Sequence, residues 1–77
     1  MESFGQRVRR MRQGNVMTQA ELAEAADLSW VTINRIENEE RVGNPRPSTV
    51  RRLADALGVE PSWLLFGDEG EQLKTAA

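Results

Sequence analysis

The sequence predicts an all-α domain of five short helices, and three observations carry that expectation. Helix-start pairs recur: Ser3 with Gln6 and Thr18 with Glu21 have the spacing at which a side chain and a backbone N–H satisfy each other reciprocally. Apolar residues repeat with the period of a helix face, as Phe4, Val8 and Met11, and as Val50, Leu53, Ala54 and Leu57. Glycine and proline fall between these segments, at Gly14, Pro45, Pro47, Gly58 and Pro61.

The first helix is expected over residues 3–13, with Phe4, Val8 and Met11 inward and Gly14 as its stop. Arg7, Arg9, Arg10 and Arg12 are distributed over the rest of its surface, and Arg9 and Arg10 are expected to be solvated. Thr18 starts the second helix. Met17 before the cap and Leu22 at the fourth helical position form a hydrophobic staple, and Leu22, Ala23 and Ala26 face the core. Ser29 caps a third helix from about Trp30 to Glu37, with Leu28 and Ile33 as its staple. Two helix starts eleven residues apart leave room only for a tight turn around Asp27, which is a helix-turn-helix arrangement.

The third helix has two faces. Ile33 and Ile36 share an inner stripe, while Val31, Asn34, Arg35 and Asn38 recur at i, i+3, i+4 and i+7 on the other side. Such a face suits a DNA major groove, because Arg pairs bidentately with guanine, Asn with adenine, and Val touches a thymine methyl. A solvated helix face would have the same spacing, so both readings stand at this point.

Residues 38–48 read as an irregular loop. Ser48, preceded by Pro47, is expected to cap a fourth helix over 49–57 that Gly58 ends, with Arg51 and Arg52 solvated. Pro61 opens a short fifth helix at its first position. Trp63, Leu64, Leu65 and Phe66 are more apolar surface than one short helix buries in a small domain, so part covers the core and part is expected at a two-fold interface. Residues 68–77 carry no pattern and read as a disordered acidic tail, leaving 1–67 as the folded domain.

Composition narrows the chemistry. In 77 residues there is neither Cys nor His, which excludes disulfides, a Cys/His zinc site, thiol catalysis and histidine acid–base chemistry within this sequence. With no glycine-rich phosphate loop and no clustered carboxylates, no enzyme, metal or cofactor is expected. No apolar run approaches spanning length and no signal peptide opens the chain, so a cytoplasmic location without membrane attachment is expected. The net charge of −2 does not argue against nucleic acid, because residues 1–67 hold nine Arg against nine Asp and Glu. Nine of the ten basic residues are Arg, the side chain suited to bidentate phosphate and base contacts.

The stretch TQAELAEAADLSWVTINRIEN resembles the lambda-repressor/Cro-like helix-turn-helix family of bacterial and phage regulators, the xenobiotic-response-element type. RPSTVRRLADALGVEPSWLLFG is similar to the same family's fourth and fifth helices, so the likeness covers residues 4–67. It implies a lambda-repressor-like five-helix fold with its motif at the second and third helices. It also implies an ion pair between Arg12 and Glu37 near the DNA backbone, and a Gln19 that meets phosphate and braces the third helix. Trp30, Val31, Asn34 and Arg35 occupy base-facing positions. Trp30 is unusual there, and packing against the second helix or the turn is its other reading. Ser29 and Asn38 fall at phosphate-facing positions, and Arg41 and Arg46 are further phosphate candidates in a loop longer than the family's by about three residues. Val16 and Glu39 stand where the family commonly has Gly.

The function so implied is a sequence-specific double-stranded DNA-binding transcriptional regulator, a dimeric repressor on a near-palindromic operator. Trp63, Leu64 and Phe66 are the candidate dimer contacts. A protein partner is also expected in some settings: polymerase, or a toxin if the chain is an antitoxin. A restriction-modification controller and an interaction module without DNA binding are the other readings.

Overall fold

A computed structural model describes residues 2–39 and 45–68. Five helices follow one another: α1 (Phe4–Gly14), α2 (Gln19–Ala26), α3 (Trp30–Glu37), α4 (Pro47–Leu57) and α5 (Pro61–Phe66). Arg41 and residues 69–77 of the expected tail lie outside the described residues.

Local sequence sets the helix starts. Both expected boxes are formed: Ser3 Oγ accepts from Gln6 N–H while the Gln6 side chain accepts from Ser3 N–H, and Thr18 and Glu21 do the same. Ser29 Oγ accepts from Thr32 N–H at 3.1 Å, capping α3. The start of α4 differs from expectation. Pro47, not Thr49, begins it, Arg46 is the cap residue, and no side chain caps it. Proline's fixed φ and missing N–H suit the first helical position, so Ser48 is drawn into the first turn and cannot cap. Pro61 begins α5 in the same way.

The core takes one large, fully buried side chain from each helix: Val8, Leu22, Ile33, Leu53 and Leu64. Burying such a side chain contributes roughly 1.5–3 kcal/mol. Leu57, Ala23, Ala26 and Ala54 complete the cluster, and the alanines let α2 and α4 approach closely. α2 packs on α3 and α4, while α5 packs on α4 and α1. Leu64 is 0% exposed and belongs wholly to this core, so it has no surface to give a second copy. Its expected place at an interface is therefore corrected. Phe66 (48% exposed) is the outward residue of α5, while Trp63 is half-buried and packs against the core.

Among the described residues, the turns require left-handed backbone at three that are not glycine. Asp27 (φ 56°) closes α2, its N–H returning to the carbonyls of Ala23 and Glu24, and this bend makes the turn of the motif short. Val16 (φ 56°) and Glu39 (φ 58°) adopt the same conformation, at the two positions where the resemblance places glycine. Gly5 is fixed by a close approach instead: a Cβ there would lie 2.2 Å from the Ile36 carbonyl oxygen, so α1 rests directly on the end of α3.

Several arginines are engaged that the sequence left on the surface. Arg7 is buried, and its guanidinium donates to the carbonyls of Leu64 (2.8 Å), Leu65 (2.7 Å) and Glu2 (2.5 Å). Arg10 is not simply solvated. It forms a two-pronged pair with Glu2 at 2.6 and 2.9 Å and lies 5.7 Å from the Trp63 ring centre. Arg52 donates to the Asp27 carbonyl at 3.2 Å, supporting the end of α2.

Candidate nucleic-acid interface

The site is organised by what holds α3 in place. Arg12 leaves α1 near its end and meets Glu37 at the end of α3, Nε to Oε2 at 2.7 Å and Nη2 to Oε1 at 2.9 Å. Its Nη1 donates to the Met17 carbonyl at 2.7 Å, which anchors the connection leading into α2. The Arg12 side chain is 12% exposed and that of Glu37 only 2%. The hydrogen bonding of Arg12 to Glu37 raises the guanidinium above its ordinary pKa, with burial opposing and the opposite charge adding. The ion pair therefore ties three segments: α1, the loop before α2, and α3.

Gln19, the first residue of α2, extends this tie. Its Nε2 donates to Glu37 Oε1 at 3.1 Å, and its Oε1 accepts from Asn34 Nδ2 at 3.2 Å. Asn34 Oδ1 in turn accepts from Asn38 Nδ2 at 3.1 Å. The structure thus gathers Arg12, Gln19, Asn34, Asn38 and Glu37 into one hydrogen-bonded chain. Its anchor is dry and its far end, Asn38, is exposed.

The remaining expected residues of α3 point out of the fold. Trp30 is 53% exposed and Val31 is 47% exposed. Trp30 stands outside the residues packed on the core. Arg35 is exposed and has no hydrogen-bond or ion-pair partner among the described residues. Ser29 is exposed, its Oγ shared with Thr32. Arg46 is exposed ahead of α4.

Among the described residues, three acidic groups near α3 are neutralised or occupied. Glu37 faces Arg12, the Glu21 carboxylate accepts from Thr18 N–H, and the Glu39 carboxylate is hydrogen-bonded by Ser3 Oγ. Among the described residues, what this leaves outward on α3 is one unpaired cation, an apolar pair and small polar groups on a braced helix. Such a surface can enter a groove, donate bidentately to a base edge and touch methyl groups.

Sequence reasoning overlooked Arg7 as a structural residue. A usable signal existed: Phe4, Arg7, Val8 and Met11 fall at i, i+3, i+4 and i+7, which places Arg7 on the inward stripe.

Comparison with known proteins bears on the family and the fold. A helix-turn-helix family model matches residues 8–64. Over 66 residues the chain is 39% identical to the HTH-type transcriptional repressor RghR of Bacillus subtilis strain 168, covering 86% of this chain and 48% of that protein. It is 33% identical to the HTH-type transcriptional regulator DicA of Escherichia coli K12, over 91% of this chain and 50% of that one. It is 38% identical to the immunity repressor protein of Bacillus phage phi105, over 87% and 44% respectively. The chain spans about half the length of the curated relatives it matches. Among solved structures, the P22 c2 repressor in complex with a synthetic operator superposes with a TM-score of 0.79 at 31% identity, covering 88% of this chain and all of that one. The chain belongs to the lambda-repressor/Cro-like helix-turn-helix family.

Proposed function

We propose that this chain is a sequence-specific double-stranded DNA-binding module of a transcriptional repressor, acting as a two-fold dimer on a near-palindromic operator. One observation supports it above the others: α3 is locked by a buried ion pair, yet its outward Arg35 has no partner among the described residues. A guanidinium held on a braced helix is pre-organised for a bidentate guanine contact, and Val31 beside it suits a thymine methyl. Trp30 extends this apolar rim toward the bases.

Phosphates would be met by Gln19 at the start of α2, by Ser29, Asn38 and Arg46, and by Arg41 in the preceding loop. Arg12 acts behind them, holding Gln19 through Glu37. Two copies joined through Phe66 and Trp63 of α5 would set their α3 helices about 34–36 Å apart, one turn of duplex. Repression follows if the occupied operator overlaps a polymerase site.

The test is fluorescence anisotropy with duplexes selected by the protein from a random pool, titrated against salt, beside scrambled DNA and the Arg35→Ala variant. Tight binding of two protomers per duplex, weakened by salt, is expected. Arg35→Ala should lose about 1–3 kcal/mol of discrimination at one base pair per half-site. Equal, weak binding to every duplex would overturn the reading, and one protomer per duplex would remove its two-fold part.

A further inference from the structure

We propose that Asn34 does not read a base but positions the site, as the middle amide of a polarised relay that begins at the buried Glu37 carboxylate. The inference rests on the DNA-binding reading above and changes the role expected from the sequence for one base-facing residue. The relay runs from Glu37 to Gln19, Asn34 and Asn38, over distances of 3.1, 3.2 and 3.1 Å.

Its direction is set by chemistry. A carboxylate gripped by a guanidinium accepts hydrogen bonds, and Arg12 donates to both oxygens of Glu37. Gln19 must therefore turn its NH2 group to Glu37, which leaves its carbonyl oxygen toward Asn34. Asn34 must then donate to Gln19, and its own oxygen is left to accept from Asn38. Reversing any one amide would set two oxygens, or two NH2 groups, against each other. A single buried charge thus fixes three amide orientations.

Two consequences follow for recognition. A bidentate adenine contact needs the oxygen and the NH2 of one Asn together. In Asn34 both are already bonded, and turning that amide outward would break two hydrogen bonds and leave Gln19 Oε1 without its donor. Meanwhile each of the three NH2 groups uses one N–H within the relay and keeps a second. Gln19 and Asn38 accordingly present donors, the polarity that phosphate oxygens require. Base reading then falls to Arg35 and Val31, and Asn34 keeps the two phosphate-facing amides in the donating orientation.

The test has two parts. In the free protein, side-chain amide NMR should show the NH2 groups of Gln19, Asn34 and Asn38 ordered, with slowed exchange. In Asn34→Ala the Gln19 and Asn38 groups should become mobile. Asn34→Asp, which keeps the shape but loses the donor, should release Gln19 as well and serves if the alanine variant fails to fold. On selected duplexes, Asn34→Ala should weaken binding about 2- to 10-fold without changing base preference at any position. Adding Gln19→Ala should then cost little more. Loss of preference at one base pair, with the Gln19 amide still ordered, would overturn the proposal, as would fully additive losses. If the amides respond as described but no duplex is preferred over another, the DNA-binding reading is what fails, and the proposed role of Asn34 in recognition fails with it.

Discussion

Replacing Arg12 by alanine removes two hydrogen bonds to Glu37 and one to the Met17 carbonyl, and leaves a carboxylate whose side chain is 2% exposed with only Gln19 as donor. Breaking a buried pair by deleting one partner costs about 3–5 kcal/mol, because the remaining charge is stranded away from water. The whole domain has roughly 0.05–0.15 kcal/mol of stability per residue, or about 4–12 kcal/mol for 77 residues. The substitution therefore removes between about a quarter and all of it. Urea unfolding followed by far-UV circular dichroism measures the loss directly, and a melting curve should show Tm lower by at least about 12 °C. The double variant Arg12→Met/Glu37→Met separates charge from packing. Exchanging both partners for apolar residues leaves no stranded ion and should recover most of the loss. A single variant that loses less than about 1 kcal/mol, or a double variant no more stable than the single, would refute the reasoning.

Two further outcomes are expected. Val16 holds φ at 56° with a β-branched side chain that is 89% exposed, so Val16→Gly gives up little packing and relieves strain of about 1–2 kcal/mol. Glycine's greater freedom in the unfolded chain offsets part of this, leaving a net gain of about 0.5–1 kcal/mol; a urea midpoint that does not rise would count against it. The Glu2 carboxyl lies below its ordinary pKa, chiefly through the hydrogen bond from Arg10, with burial opposing and the charges of Arg10 and Arg7 assisting. A carboxyl depressed in the folded state stabilises fully above its unfolded pKa, about 4.3, and loses that contribution as the pH falls through the lower folded value. The stability difference between the wild type and Glu2→Gln should thus be present at neutral pH and vanish in acid. A difference constant across that range would dissociate it from the Arg10 pair.

What the sequence reveals here depends on the range of the interaction. The caps at Ser3, Thr18 and Ser29 are bonds to residues three positions on, and their geometry follows from local backbone alone. The start of α4 is local too, but two local rules compete there. Pro47 at the first helical position prevails over Ser48 as a cap because the ring fixes φ before any side-chain bond can form. The Arg12–Glu37 pair bridges 25 positions and no spacing rule reaches it; only likeness to the family pointed there. Residues 63–66 are apolar without interruption, so they carry no period from which to read an inward face. Packing of α5 on α4 and α1 chooses Leu64 for the interior and leaves Phe66 outside. The Gln19–Asn34 bond lies beyond sequence reasoning for a different reason. It depends on how two amides are turned, which the dry carboxylate at their end decides.

Arg7 joins residue 7 to residues 64 and 65, so its guanidinium closes a loop of 57 positions in a chain without cysteine. A disulfide across the same span would act by restricting the unfolded chain. A hydrogen-bonded cation leaves that ensemble free and acts only once both ends are in place. α1 and α5 are therefore expected to open and close together, and amide exchange in one should report the opening of the other. The closure is also indifferent to redox conditions, which a covalent clasp is not.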